Sequence, residues 1–434
     1  ATQIIDQRDD GALNFNQYSQ ELRLASPTGH FLEYVVGVFV WRTKEYDTFT
    51  RSDSFCSDST LAVNSTTFQP CSTAPGASTF VNSSGPANWT TKFENTAGFG
   101  QATLNISDKF KIIAGLRYTH DNVEYAIQRT NVTNGVGPNL FPGIQAPFSY
   151  TESASANGLS GKAGAQYQFT PDVMAYATYS RGYKGPALNV FYSETAANTG
   201  AIAPERSNAE EIGVKVRAFD HRLTLNAAIY NQVLDNFQAN SFVTQGVQTF
   251  VTLTNAGRVR SRGFELDFAF HPSSDFTLSG GYAYNEGTIR AYNCPASLSV
   301  ANLATCVAHN GKPLPFAPKN KFNVNADWRL PFSNTLPFDV RLGSSLSYTS
   351  RINFDIDQNP LAQQPGYALL DASVTFQTKD KRWSLALLGK NLTNKYYTSF
   401  ITPVGNGATA LSYQRLQVPR DAERYFGVRA TFHY

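Results

Sequence analysis

Read two residues at a time, stretch after stretch of this chain separates into an apolar face and a polar one, and the apolar face carries almost no charge. At the C-terminus Phe426, Val428, Ala430, Phe432 and Tyr434 fall on one side, and Tyr425, Gly427, Arg429, Thr431 and His433 on the other. Upstream, Phe110, Ile112, Ala114, Leu116 and Tyr118 oppose Lys111, Ile113, Gly115, Arg117 and Thr119. Phe264, Leu266, Phe268 and Phe270 oppose Glu265, Asp267 and Ala269, and Phe322, Val324, Ala326, Trp328 and Leu330 oppose Asn323, Asn325, Asp327 and Arg329. A soluble sheet exposes charge freely on its outer face, whereas an Arg or Lys facing lipid at mid-bilayer costs about 2–4 kcal/mol. Uncharged apolar faces repeated in this way predict strands that face lipid. Backbone groups in lipid must all be paired, so such strands must close into a barrel.

The connections carry the same message. Strand-like patterns cover 18–26, 31–48, 89–106, 110–119, 160–169, 174–183, 206–219, 223–233, 249–270, 276–289, 322–330, 340–354, 369–377, 383–397 and 425–434, about fifteen in all, with residues 1–16 polar and unpatterned. Short turns such as 27–30, 107–108, 170–172, 220–221 and 271–274 alternate with long Ser-, Asn- and Thr-rich stretches. Membrane barrels place short turns on the periplasmic side and long loops outside, and a soluble domain rarely holds a loop of nearly forty residues like the one after residue 48. There is no convincing amphipathic helix. The longest apolar run, 34–41, is far below the roughly 20 residues of a spanning helix. A mean hydropathy of -0.30 is compatible with a barrel, because only alternate residues meet lipid. The first and last strands both run down toward the short-turn side, whereas a complete single-chain bacterial barrel has an even number of strands and begins by rising. At least one strand is therefore expected outside this sequence, which starts at Ala1 without a leader and reads as processed or partial.

The four cysteines form two local pairs, Cys56 with Cys71 and Cys294 with Cys306, each within a polar stretch between strands. Of the three possible pairings, proximity favours these two as loop disulfides in an oxidising compartment. A formal charge of +3 is too small to argue for nucleic acid. No catalytic constellation emerges: the six histidines are scattered, with no H-E-x-x-H, and Glu210 and Glu211 are adjacent, so on a strand they face opposite sides. No metal or cofactor site is expected. Arg117, Lys215, Glu265, Asp267, Asp327, Arg329 and Arg429 are expected to line a hydrated lumen, and Tyr183, Phe191, Tyr192, Tyr292 and Phe354 are candidate ligand contacts in the long loops. Phe426, Val428, Phe432 and Tyr434 are expected on the lipid side of a barrel-closing terminal strand.

Several stretches resemble one family in order and spacing. They are Gln20-Glu21-Leu22-Arg23-Leu24-Ala25-Ser26, Tyr179-Ser180-Arg181-Gly182-Tyr183-Lys184, Pro204-Glu205 with Glu210-Glu211-Ile212-Gly213-Val214-Lys215, Asn255-Ala256-Gly257 with Ser261-Arg262-Gly263-Phe264-Glu265, and Gly389-Lys390-Asn391-Leu392-Thr393-Asn394-Lys395-Tyr396-Tyr397, followed by the terminal strand. Together they resemble the TonB-dependent outer-membrane receptors. The resemblance implies a 22-stranded barrel closed by an N-terminal plug, of which residues 1–434 would be the C-terminal barrel portion, with plug and leading strands absent. It further implies an outer membrane of a Gram-negative bacterium, a periplasmic C-terminus, extracellular long loops, and the TonB energy-transducing complex as partner. The implied ligand is a bulky scarce nutrient, a metal-chelate siderophore being the commonest kind. Read without the resemblance, a passive porin-like channel or a structural barrel in a larger assembly also fits the strand pattern.

Overall fold

The computed structural model describes residues 4–56, 80–130, 144, 146–192, 194–196, 199–245, 248–294, 300–404 and 413–433. Fifteen strands form one antiparallel sheet in which each main strand pairs with the next. They are β1 (Ile4–Ala25), β2 (Leu32–Cys56), β3 (Phe80–Asn105), β4 (Phe110–Arg129), β5 (Phe148–Thr170), β6 (Val173–Lys184), β7 (Glu205–Ala218), β8 (Leu223–Asp235), β11 (Gly257–Ser273), β12 (Phe276–Tyr292), β13 (Asn320–Arg329), β14 (Phe338–Thr349), β17 (Tyr367–Thr378), β18 (Trp383–Lys390) and β21 (Tyr425–Phe432). Three small hairpins stand on the long connections: β9 (Gln238–Gln245) with β10 (Gln248–Asn255), β15 (Ile352–Asn353) with β16 (Gln363–Gln364), and β19 (Phe400–Val404) with β20 (Tyr413–Gln417). Among the described residues β1 and β21 are the two edges of the sheet and do not pair with each other.

The register turns the period-two pattern into two continuous surfaces. One row of directly opposed residues runs Phe110, Tyr167, Ala175, Val214, Ala227, Leu266, Tyr282, Phe322, Tyr348, Ala368 across successive strands without a charge. On the other face, Lys215, Asn226, Asp267, Gly281 and Asn323 form a polar row. Large side chains on the apolar face, among them Leu116, Ile212, Ile229 and Phe426, are more than half exposed and have no protein core to meet. That is the arrangement lipid requires.

Where the apolar face ends, toward the long connections, it is bordered by cross-strand ion pairs: Arg42–Glu94 at 3.3 Å, Lys92–Glu124 at 2.9 Å and Arg262–Glu286 at 2.6 Å. The strands do not stop there. β1 to β5 are 20 to 26 residues long, against about 9–11 needed to cross a bilayer. Beyond the ion pairs the polarity inverts on β4: Asn122, Glu124 and Gln128 point out, whereas Val123, Tyr125 and Ile127 are buried on the inner face.

Four expectations change. Residues from Ile4 onward are strand, paired with β2 along its length; they carry no lipid-type alternation because both faces lie beyond the apolar band. The single strand expected over 249–270 is two, because Gly257 adopts φ +120° and β10 folds back on β9. β14 stops at Thr349 and β18 at Lys390, where Asn391 takes φ 48° and ends the strand. An eight-residue helix, α1 (Val300–Val307), sits in the second cysteine loop, and Cys294–Cys306 is a disulfide within it. Of the other expected pair, Cys56 ends β2 and Cys71 lies outside the described residues.

Candidate functional site

The inverted part of β4 explains where the chain goes after β6. Val123, Tyr125 and Ile127 present an apolar inner surface that water would otherwise cover, and the segment from Gly185 to Pro204 folds over it, burying Leu188 among them with Trp89, Phe93, Phe148, Tyr150 and Val190 around. The segment is clipped into a cap. Ala187 and Ile202 exchange backbone hydrogen bonds of 3.1 and 2.8 Å. The side chain of Asn189 accepts from the Leu253 amide at 2.7 Å and donates to the Leu253 carbonyl at 3.2 Å, and Gln238 donates to the carbonyls of Gly185 and Ala203 at 2.9 and 3.0 Å.

A buried cation organises the cap from within. The Arg129 guanidinium donates to the carbonyls of Ala146 at 2.6 Å, Tyr192 at 2.5 Å and Glu194 at 3.1 Å. It lies 5.5 and 5.6 Å from the ring centres of Phe148 and Tyr192. A buried guanidinium is tolerated only when its donors are met, and these carbonyls meet them. The neighbouring Glu194 is 1% exposed. Burial pushes its carboxyl up to about 7, the Tyr125 hydroxyl and the Arg129 charge pulling it back only in part.

Beneath the cap, on the inner face, is a pocket of about 250 Å³ lined by Trp41, Phe93, Asn95, Arg117, Thr119, Asp121, Ser160, Tyr183 and Gly185. Arg117, Thr119 and Asp121 follow one another on the inner face of β4, opposite Phe99, Ala97 and Asn95 of β3. Arg117 stacks over Phe39 and Phe99, 5.2 and 5.7 Å from their ring centres, and donates to Thr119 at 3.2 Å and Asn95 at 3.4 Å. Asn95 in turn donates to the carboxylate of Asp121, which is 2% exposed. No carboxylate lies within ion-pair distance of Arg117 among the described residues. Two glycines make the pocket possible: a Cβ at Gly158 would come within 2.3 Å of the Tyr183 ring, and one at Gly185 within 2.7 Å of Asp121.

The structure brings together Arg117 and Tyr183, which the sequence singles out separately. Trp41, Asn95 and Asp121 were not foreseen, because they meet only through strand register. Lys215, Glu265 and Asp267 also converge, with Tyr176, Glu211 and Asn226, around a recess of about 230 Å³. Asn226 donates to Asp267 at 2.8 Å. Asp327 and Arg329 lie toward the short turns and are paired, Asp327 with Arg341, and Arg329 with Asp275 at 3.1 Å and Asp339 at 2.9 Å. Arg429 stands opposite Ala386 on the polar face of the last strand. Phe426, Val428 and Phe432 are exposed on that strand, and Tyr434 is outside the described residues. Tyr192 is buried between the Arg129 and Arg51 guanidinium groups, and Phe191 is partly exposed on the cap. Tyr292 packs on His309 at 5.0 Å beside the disulfide. Phe354 is buried with Ala362 and Ile401, edge-on to Phe316 and Phe400.

Comparison with known proteins agrees with this architecture. The family model described as TonB dependent receptor-like, beta-barrel, matches residues 3–392. The probable TonB-dependent receptor BfrD of Bordetella pertussis is 24% identical over 341 residues, 75% of this chain and 41% of that protein. The catecholate siderophore receptor Fiu of Escherichia coli K12 is 24% identical over 314 residues, 70% of this chain and 38% of that protein. The crystal structure of the ferric yersiniabactin uptake receptor FyuA from Yersinia pestis superposes with a TM-score of 0.72 at 18% identity, covering 98% of this chain and 55% of that one. The chain thus spans about two fifths of the length of these curated relatives.

Proposed function

Because the chain belongs to the TonB-dependent receptor family, matching its β-barrel over residues 3–392, we propose that it forms the C-terminal wall of an outer-membrane receptor that imports a bulky metal chelate. Members of this family are outer-membrane barrels of Gram-negative bacteria, and they are transport receptors, not enzymes. In this reading further strands complete the barrel from β1 round to β21, and a plug occupies its interior. The long connections face the outside, the C-terminus faces the periplasm, and TonB supplies the energy that releases the ligand inward. Siderophores are the favoured ligand class, since the relatives include a catecholate siderophore receptor and a ferric yersiniabactin uptake receptor. The observation that carries the reading is the cationic, aromatic pocket on the inner face at the long-connection end, lined by Trp41, Arg117 and Tyr183. A ligand entering between the long loops would meet it before reaching the polar inner wall.

The test is uptake of radio-iron chelates by cells whose sole outer-membrane siderophore receptor is the whole protein. Saturable uptake that disappears when TonB is deleted supports the proposal. Equal uptake with and without TonB, or none from any chelate in a broad panel, removes it.

A further inference from the structure

The border where the apolar face gives way to the polar strand ends is not uniform in charge. On β2 to β4 the cations at that border are matched, Arg42 by Glu94 and Lys92 by Glu124. β11 differs. Read toward the long connections, Leu266 and Phe264 on its apolar face are followed on the same face by Arg262, Arg260 and Arg258. Alternate residues of a strand stand about 7 Å apart, so the three guanidinium groups form a ladder. Arg262 pairs with Glu286 at 2.6 Å and Arg258 with Asp235, and both arginines stay more than half exposed. Arg260, between them, donates to the neutral side-chain oxygen of Asn231 at 2.7 Å and has no carboxylate within ion-pair distance among the described residues. Arg181 is exposed in the same cross-strand row, reached through Val233 and Asn208. Lys319, exposed at the entry to β13, lies within electrostatic reach of Glu286. These five cations face three carboxylates, Glu210, Asp235 and Glu286.

Like charges stacked on one face repel, and a guanidinium set between two others is where an external anion gains most. The surface directly below shows which kind of anion fits. Ile212, Ile229 and Phe264 form a directly opposed row one position below Arg262, and both isoleucines are more than half exposed. A free phosphate would touch the arginines alone, whereas a phosphorylated lipid would use both surfaces. Guanidinium groups pair bidentately with phosphate, and basic clusters beside an apolar span hold anionic headgroups.

We propose that Arg258, Arg260 and Arg262 form a headgroup site for a lipid of the outer leaflet that carries phosphate monoesters. The phosphate bridges Arg260 and a neighbouring arginine, and an acyl chain lies along Ile212, Ile229 and Phe264. The site is on the outside of the barrel and does not depend on what is imported; it rests only on the orientation in which the long connections face outward.

The experiment offers the whole receptor, purified in mild detergent, either bis-phosphorylated lipid A or the same lipid stripped of its phosphates, and counts retained lipid by native mass spectrometry. The phosphorylated form is expected to be retained at least tenfold more, and a large excess of inorganic pyrophosphate should leave most of it bound. R260Q should lower retention three- to tenfold and R260Q/R262Q at least tenfold. R42Q, at the matched part of the border, should bind as wild type does. Heat-modifiable migration on gels identifies variants that retain the barrel, and the comparison of the two lipids needs no variant. Equal retention of the two lipids, or folded R260Q/R262Q with wild-type retention, would overturn the site. So would displacement by pyrophosphate, which marks a site for a free anion, or a loss in R42Q equal to that in R260Q. The two readings fail separately. TonB-dependent chelate uptake alongside wild-type lipid retention in R260Q/R262Q would sink the lipid site and leave import standing. Phosphate-dependent retention with the expected variant effects, in a receptor that takes up no chelate, would sink import alone.

Discussion

Asn391 shows what a single residue of the family-like motif does. It leaves β18 with φ 48°, and its buried side chain accepts from the Lys395 amide at 3.0 Å and the Thr393 hydroxyl at 3.1 Å while donating to the carbonyls of Lys395 at 3.1 Å and Ala422 at 3.2 Å. Asn394 accepts one bond, from the Arg424 amide at 3.1 Å. N391A removes all four side-chain bonds and strands buried groups, so a loss of about 1–3 kcal/mol is expected, seen as a lower unfolding temperature in detergent, with a smaller loss for N394A. A result in which the two variants unfold alike would count against this account of the motif. Glu194 sets a different expectation. Its carboxyl is raised by burial from 4.5 to about 7 in the folded protein, so the folded state holds the proton over that interval and the unfolded state does not. Cap stability is therefore fully present below about pH 4.5, falls as pH rises through about 7, and is level beyond. Amide protection factors at 187–192 and 199–202, which remove the intrinsic rise of exchange with pH, should fall from pH 5 to 8, and E194Q should flatten the dependence; identical profiles for the two proteins would reject it.

At the scale of the element, β4 holds both halves of the architecture in one strand. From Phe110 to Tyr118 its even positions face the apolar side, and from Asn122 onward the outward positions are Asn122, Glu124, Ala126 and Gln128 while Val123, Tyr125 and Ile127 go inside. The lipid-crossing half was legible because alternation with an uncharged face has one cheap explanation. The upper half was less so, since an inward apolar face looks like a loop until the cap that covers it is known. The pocket was half legible for the same reason: Arg117 and Tyr183 stand out by residue type, but Trp41, Asn95 and Asp121 join them only through the β2–β3–β4 register, which hydrophobic pattern alone does not fix. The division of β4 predicts an asymmetry in tolerance. L116R places a charge on the lipid face and should cost about 2–4 kcal/mol, read as a sharp fall in folded protein in the outer membrane. E124R, on the same face at the ion-pair border, loses the pair with Lys92 and the bond from Asn122 and sets two cations side by side, yet it should insert normally. Equal yields of the two would mean that the apolar band does not mark the bilayer.

For the whole molecule, among the described residues, one face of a fifteen-stranded sheet is lipid-compatible, the other is polar along the membrane-crossing rows, and the connection after β6 packs Leu188 and Val190 on the apolar inner surface beyond them. An open pore would keep its polar interior wet and its mouth clear. Here the segment from Gly185 to Pro204 is packed on the inner wall by a buried core and by Arg129, which fits a receptor that holds its ligand better than a channel that lets solutes pass. The measurement that separates these two most directly is single-channel conductance of the whole protein in a planar bilayer. An occluded receptor that needs TonB to open predicts an almost silent membrane after insertion. A steady, open-channel conductance from the intact protein would contradict that account and favour a passive pore.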